Sequence, residues 1–220
     1  DYIPPDLLKK FEKETGIRVN LDVFDSNESL LAKLKAGATG YDVVVPSYYM
    51  VKILIDEKLI SPFDATKMAN FKNVMAPLDK PVFDPTRGYS APYMWGTTGF
   101  VYDSARVPGG KLEDSWKAFF EPAPALKGQI VALNDVNEMY VAASLYLGVD
   151  QCTEDPKVGQ RIAAVFDKQK PLLAMYNSDG TIERMQAKEV MVHHQWNGAA
   201  YRTKDKLKSA VFVMPKEGVA

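Results

Sequence analysis

The beginning of the chain switches between the apolar period of a helix and that of a strand. Apolar side chains three or four positions apart predict helices over residues 5–15 and 48–58. Alternation over residues 17–24 predicts a half-buried strand, and the apolar run 41–46 predicts a strand buried on both faces. Between these strands, Asp25 and Glu28 have the spacing of a capping box, which predicts a further helix. Strands that alternate with helices are typical of a parallel α/β sheet.

A loop-rich stretch, residues 61–90, leads to an aromatic and glycine-rich segment near the middle of the chain. Pro92 interrupts helical structure, and residues 97–102 are β-prone and apolar enough for a buried strand. This segment lies between two α/β halves, so we expect its strand to be the crossover that joins them.

The second half repeats the alternation of strands and helices. The pattern predicts strands at residues 128–133, 172–176, 190–194 and 210–214, and helices that begin near residues 115, 138, 156, 180 and 197.

Composition narrows the class of protein. The 220 residues are 46% hydrophobic and 25% charged, with a formal net charge of −1, as in an ordinary globular protein rather than a nucleic-acid binder. No apolar run approaches the ~20 residues of a membrane span.

The single cysteine, Cys152, rules out an internal disulfide, and we interpret it as an incidental loop residue. Asp1 is not a natural start, so a signal peptide is expected in the precursor.

Several short motifs occur together in one order along nearly the whole chain. Taken together they resemble the periplasmic polyamine-binding proteins of bacterial ABC importers, the spermidine- and putrescine-binding family. The motifs are Asp1-Tyr2-Ile3-Pro4-Pro5, Phe11-Glu12-Lys13-Glu14-Thr15-Gly16-Ile17, Asp25-Ser26-Asn27-Glu28, Tyr41-Asp42-Val43-Val44-Val45-Pro46-Ser47, Pro92-Tyr93-Met94-Trp95-Gly96, Trp196-Asn197-Gly198 and Pro215-Lys216-Glu217-Gly218.

The resemblance implies an α/β, two-lobe, type II periplasmic-binding-protein-like fold with hinge-crossing strands. It assigns residues 1–99 to lobe I, residues 100–214 to lobe II and residues 215–220 to the start of a return crossover. Family members have a further strand before the Asp1 position and a longer C-terminal part, so lobe I is expected to be incomplete here.

The implied function is that of a periplasmic, monomeric solute-binding protein that captures a polyamine (putrescine or spermidine) and delivers it to a membrane permease. No cofactor, catalytic residue, metal, nucleic acid or membrane insertion is expected. The alternative is an enzyme or sensor on the same scaffold that acts on another organic cation. An enzyme would use Cys152 or an acid such as Glu138, but no nucleophile and base can be placed together from the sequence.

A polyamine site needs carboxylates for the ammonium groups and aromatic walls for the methylenes and cations. The resemblance identifies Glu138 as the main amine-binding residue; from position alone it is an acid at a helix start. Asp135 is open to two interpretations, a second amine ligand or the cap of the same helix. Trp196 matches a tryptophan that lies along the ligand. Ala199 stands where the putrescine-selective branch has an acid, which weakens the case for putrescine specificity.

The remaining candidates are also carried by the resemblance. Ser47 and Tyr49 match positions that line the site in the first lobe, although Ser47 could simply cap the helix that follows. Ser178 matches a hydroxyl of the second lobe or is a turn residue, and Asp1 and Tyr2 match groups that face the ligand. Trp95 is expected to support the hinge.

His193 and His194 invite a metal interpretation. Neighbouring residues on a strand point to opposite faces of the sheet, so both side chains cannot easily bind one ion. The sequence therefore favours no metal site here.

Overall fold

The computed structural model describes residues 3–24 and 26–220. It divides into two compact units, Asp1–Pro62 and Phe63–Ala220. Asp1, Tyr2 and Asp25, for which the sequence predicts roles, lie outside the described residues. The predicted lobe boundaries, 1–99, 100–214 and 215–220, stay a prediction.

The described part of the first unit contains three helices, and each begins close to its predicted start. They are α1 (Pro5–Thr15), α2 (Asn27–Lys35) and α3 (Tyr48–Asp56). Gly16 ends α1 in the left-handed conformation, at a φ of 71°. The N-cap of α2 is Ser26, whose hydroxyl accepts a hydrogen bond from the Ser29 amide, so the cap lies one residue after the predicted position.

The two strands predicted for the first unit are not formed. Residues 17–24 and 41–46 have no strand assignment in the described structure. Residues that favour β-structure form a stable strand only when another strand pairs with them and one face is buried. No described segment pairs with these residues. The apolar side chains of both segments are therefore exposed: Ile17, Leu21, Val23, Val43 and Val45. The buried apolar side chains of the described part of this unit come instead from α2 and α3: Leu30, Met50, Val51 and Leu54.

A five-stranded mixed sheet organises the second unit, in the order β3-β2-β4-β1-β5. Its strands are β1 (Thr98–Asp103), β2 (Ile130–Ala132), β3 (Met175–Tyr176), β4 (Val192–Trp196) and β5 (Ala210–Val213). The strand β2 runs parallel to β3 and β4, whereas β1 runs antiparallel to β4 and β5. The four strands predicted after residue 128 and the central strand at 97–102 are confirmed.

Helices cover both faces of this sheet. They are α5 (Trp116–Phe120), α6 (Val136–Leu147), α7 (Pro156–Gln169), α8 (Thr181–Gln186) and α9 (Asn197–Lys206). The short helix α4 (Ala76–Asp79) precedes β1 in the chain. Every residue of β1 is buried, because alternate side chains enter different cores. Phe100 packs in the cluster that contains Trp116 and Phe119, and Val101 packs in the cluster that contains Val131 and Met185.

The segment that follows β5 turns back onto the start of β1. The backbone of Ala220 both accepts a hydrogen bond from Thr98 N (2.7 Å) and donates one to Thr98 O (3.1 Å). The indole of Trp116 donates to the Gly218 carbonyl at 2.9 Å, and the Glu217 carboxylate accepts from the Trp116 amide at 3.2 Å. The position of residues 217–220 relative to the sheet is thus fixed by side chains of α5 as well as by backbone pairing.

Candidate functional site

The sheet topology brings three chain segments together at one edge of the second unit. Because β1 is antiparallel to β4, the first residue of β1, Thr98, lies opposite the last residue of β4, Trp196. Because β2 is parallel to β4, its carboxyl end reaches the same edge, and the loop to α6 starts there. Polar side chains after β2 and at the end of β4 therefore meet beyond the carboxyl ends of parallel strands, where α/β proteins bind ligands.

Glu138 and Trp196 are in direct contact at this edge. The indole Nε1–H of Trp196 donates to Glu138 Oε1 at 3.1 Å. The hydroxyl of Thr98 donates a second hydrogen bond to the same carboxylate. Thr98 is 2% exposed, so this bond is shielded from water. Sequence reasoning did not single out Thr98, because only the pairing of β1 with β4 places its hydroxyl beside a residue forty positions along the chain.

The environment of Glu138 raises the pKa of its carboxyl above the ordinary value. Burial is the largest cause, and the charge of Asp135 acts in the same direction. The hydrogen bonds from Thr98 and Trp196 oppose these effects but do not cancel them. A carboxylate in this position is stabilised by a neighbouring cation, which is the chemistry expected of an amine-binding residue.

Asp135 caps the helix that carries Glu138. Its Oδ1 accepts a hydrogen bond from the Glu138 amide at 3.0 Å, so the capping interpretation describes its contact in this structure. Ser178 lies next to the same loop, because its hydroxyl accepts a hydrogen bond from the Asn134 amide at 3.0 Å. The four predicted residues of the second unit, Asp135, Glu138, Ser178 and Trp196, are thus carried by connected elements at one edge of the sheet.

The two predicted residues of the first unit also belong to one cluster. Ser47 occupies the N-cap position of α3, but its side chain makes no capping hydrogen bond. Its hydroxyl instead accepts from Asn27 Nδ2 at 3.1 Å, and the Tyr49 hydroxyl accepts from the same nitrogen at 3.0 Å. Tyr49 donates to Glu28 Oε1 at 3.1 Å. Asn27 was not predicted as a site residue, although it lies within a motif that carried the resemblance.

Other candidates lie away from these clusters. His193 and His194 are both buried and point to opposite faces of the sheet, since His193 contacts Arg184 whereas His194 packs against Trp116 and Phe119. Within residues 3–24 and 26–220 no group of three or more His, Cys, Asp or Glu side chains is arranged to hold a metal ion.

Trp95 is 64% exposed. In the same described part, no helix has both the length and the apolar character needed to cross a membrane.

A groove of about 220 Å³ lies near the other end of α6. Its apolar lining comes from Phe120, Leu147 and Val165, with Arg161 and Lys168 among its charged residues. Its lining contains no predicted site residue, so the groove is separate from the Glu138 cluster.

The sequence matches the family model described as bacterial extracellular solute-binding protein over residues 6–220. The chain belongs to this solute-binding family. It is 36% identical over 219 residues to the spermidine/putrescine-binding periplasmic protein of Escherichia coli K12, covering 99% of this chain and 62% of that protein. It is also 36% identical over 233 residues to the putrescine-binding periplasmic protein SpuD of Pseudomonas aeruginosa, covering 99% of this chain and 64% of that protein. The chain therefore spans somewhat under two thirds of the length of these relatives.

Solved structures of solute-binding proteins share the fold. The TpPotD lipoprotein of Treponema pallidum matches with a TM-score of 0.85 and 29% identity, over 99% of this chain and 68% of that one. The substrate-binding protein PotD of a spermidine/putrescine ABC transporter from Streptococcus pneumoniae matches with a TM-score of 0.75 and 30% identity, over 100% of this chain and 67% of that one. The α/β fold of the type II periplasmic binding proteins predicted from the sequence is therefore confirmed.

Proposed function

We propose that this chain is the polyamine-binding part of a solute receptor for a bacterial ABC importer. The main support for this proposal is the Glu138 carboxylate. It is half-buried, its pKa is raised, and it accepts hydrogen bonds from Trp196 and Thr98 at the edge of the sheet. A primary ammonium would supply the missing positive charge, and the indole would pack against the methylenes of the ligand.

Several features support a polyamine over an anion. The acids Asp135 and Glu138 both lie at the first turn of α6, and Glu28 lies beside Tyr49 in the first unit. An anion receptor would instead be expected to present arginine or lysine side chains at these positions. Relatives that are named for spermidine, putrescine or both support the same ligand class.

The cellular context that we propose follows from the same relatives. The protein would act in the periplasm and would pass its ligand to a membrane permease, as expected from the sequence. The homologues are solute-binding transport proteins rather than enzymes. For the enzyme alternative, the described structure leaves Cys152 exposed in a turn, whereas both histidines are buried in β4. The monomeric state stays a prediction.

Thermal unfolding in the presence of ligands tests the proposal directly. Putrescine, cadaverine, spermidine and spermine would each be added at high excess to the same chain. A ligand at about 100 times its Kd adds ~2.7 kcal/mol of stability. For a protein of this size that corresponds to a rise in Tm of about 5–10 °C.

Two controls separate recognition from a general salt effect. The uncharged 1,4-butanediol and an equal ionic strength of KCl should leave Tm unchanged, because neither presents an ammonium on a methylene chain. An equal rise with KCl, or no rise with any polyamine, would contradict the proposed function.

A further inference from the structure

Asn27 joins two predicted ligand-binding residues that are distant from it in sequence. It lies in the first turn of α2 and is 5% exposed. Its Oδ1 accepts a hydrogen bond from the Ser47 amide at 3.1 Å, and its Nδ2 donates to Ser47 Oγ at 3.1 Å and to Tyr49 Oη at 3.0 Å. A single buried amide therefore sets the position of both hydroxyls.

The orientation of this amide follows from its partners. The backbone N–H of Ser47 is a donor only, so the group that faces it must be the amide oxygen of Asn27. The amide nitrogen, which is a donor only, must then face the two hydroxyls. Each hydroxyl oxygen accordingly accepts a hydrogen bond from Asn27.

Glu28 completes the arrangement by taking the Tyr49 proton. Tyr49 Oη donates to Glu28 Oε1 at 3.1 Å while it accepts from Asn27. With its proton committed to a carboxylate, the Tyr49 oxygen can meet a ligand only as an acceptor. An ammonium group has donors and no acceptor, so it matches this polarity, whereas a carboxylate or phosphate does not.

We propose that Asn27 is the positioning residue for the polyamine-binding residues Ser47 and Tyr49 of the first unit, and that with Glu28 it sets the Tyr49 hydroxyl to recognise a cationic amine. The inference rests on the proposed function, because it assumes that Ser47 and Tyr49 contact the ligand. A purely structural role, in which Asn27 only fastens α2 to α3, makes different predictions in a double-mutant cycle.

Isothermal titration of spermidine into four proteins provides the cycle: wild type, Asn27→Ala, Tyr49→Phe and the double variant. If Asn27 acts through the Tyr49 hydroxyl, Asn27→Ala should weaken binding at least about tenfold in the wild-type background. The same change should weaken binding less than about threefold when Tyr49 is already phenylalanine. A structural role would give the same fold-change in both backgrounds.

Ser26→Ala is the matched control. It removes the cap of the same helix, where Ser26 Oγ accepts from the Ser29 amide, but it leaves the contacts of Asn27 intact. It should lower Tm and leave spermidine affinity within about twofold. Asn27→Leu keeps the number and branching of the side-chain heavy atoms, and it replaces Asn27→Ala in the cycle if the alanine variant loses the wild-type circular dichroism spectrum.

The outcomes separate the inference from the proposed function. If the wild type binds no polyamine, the proposed function fails and the inference fails with it. If the wild type binds but the Asn27 variant retains its affinity, or shows equal losses in both Tyr49 backgrounds, the inference alone is overturned.

Discussion

A half-buried carboxylate such as that of Glu138 is costly to ionise unless a cation accompanies it. Its raised folded-state pKa means that the carboxyl binds a proton more readily in the folded protein than in the unfolded chain. The stability that this provides is fully present below the unfolded pKa near 4.5 and is lost as the pH rises through the folded value. At pH values above the folded-state pKa, the ionised residue therefore destabilises the protein without ligand.

Glu138→Gln should accordingly improve stability while it removes recognition. At pH 7 and without polyamine, we expect a higher Tm than that of the wild type, because the neutral amide avoids the ionisation cost. Polyamine affinity should fall by a factor of about 30 or more, since one partner of a desolvated ion pair is lost. Calorimetric melts with and without spermidine measure both effects, and unchanged affinity would rule out Glu138 as an amine ligand.

His194 is also a buried titratable group, and burial shifts its pKa in the opposite direction to that of Glu138. Burial, with a smaller effect from His193, lowers the pKa of His194 to about 3. Neither ring nitrogen of His194 has a hydrogen-bond partner among the described residues. Because the folded pKa lies below the ordinary value of 6.5, the unfolded chain takes up a proton first as the pH falls.

The free energy of unfolding should therefore decrease as the pH falls from about 6.5 to 3, and His194→Phe should make this decrease smaller. Each histidine that titrates only on unfolding contributes a slope of about 1.4 kcal/mol per pH unit. The phenylalanine ring suits the aromatic surroundings, where the His194 ring lies 5.5 Å from Trp116 and 5.2 Å from Phe119. Urea titrations at several pH values measure the slope. Equal slopes in both proteins would show that His194 does not titrate on unfolding.

At the scale of elements, substitutions of Asp135 at the start of α6 test whether its carboxylate caps the helix or also binds an amine. Asparagine is as good a helix cap as aspartate, whereas alanine is not. Asp135→Ala should lower the free energy of unfolding by ~1 kcal/mol, and Asp135→Asn should leave it nearly unchanged.

The affinity of the Asp135→Asn variant for spermidine shows whether Asp135 has a role beyond capping α6. If the carboxylate also holds an amine, Asp135→Asn should weaken spermidine binding even though the helix is intact. If Asp135 only caps α6, the asparagine variant should bind as the wild type does. Titration calorimetry beside urea unfolding gives both quantities for each variant.

The contact between β1 and β5 depends on a glycine. A Cβ at Gly99 would stand 2.1 Å from the Val213 carbonyl oxygen and 3.1 Å from the ring of Phe212. Gly99→Ala should lower the free energy of unfolding by about 3 kcal/mol, since strands must separate to admit the methyl group. Gly198→Ala is the matched control, because a Cβ there meets no atom within 4 Å. It should be neutral or slightly stabilising by urea unfolding, and an equal loss in both variants would contradict this account.

Local signals predicted most of the second unit, where helix caps and buried strands agree with the tertiary structure. The Asp155-Pro156 start of α7, the Gly148 end of α6 and the β1 strand were all found from the sequence. The strands predicted at 17–24 and 41–46 are not formed, since neither an alternating pattern nor an apolar run contains information on whether a partner strand is present. Thr98 and Asn27 were missed for a related reason: their contacts depend on pairing between distant segments.

At the scale of the whole molecule, the two units differ in how they bury apolar surface. Both of the large apolar clusters, which include Phe100, Trp116 and Val131, lie in the second unit. In the first unit, Val43 is 79% exposed and Val23 is 60% exposed. Amide protection depends on buried contacts and on hydrogen bonds that water cannot reach.

Hydrogen exchange followed by mass spectrometry should therefore report two levels of protection. Amides of β1 and β4 should exchange only on global unfolding of the second unit, whereas those of residues 17–24 and 41–46 should exchange within minutes. Limited trypsin digestion should likewise cut first among the lysines and arginines of residues 1–62. Equal protection in both units would show that the first unit is stabilised beyond its described contacts.

The isolated thiol of Cys152 has a practical consequence for these experiments. It is the single cysteine of the sequence and it is exposed, so a maleimide dye or a nitroxide label would attach at one defined position. From Glu138 to the end of α6 at Leu147 the helix rises by about 14 Å, and Cys152 follows in the next turn. A ligand titration could therefore use a reporter group at Cys152, beyond the C-terminal end of the same helix, that does not occupy the place of a ligand at the carboxylate.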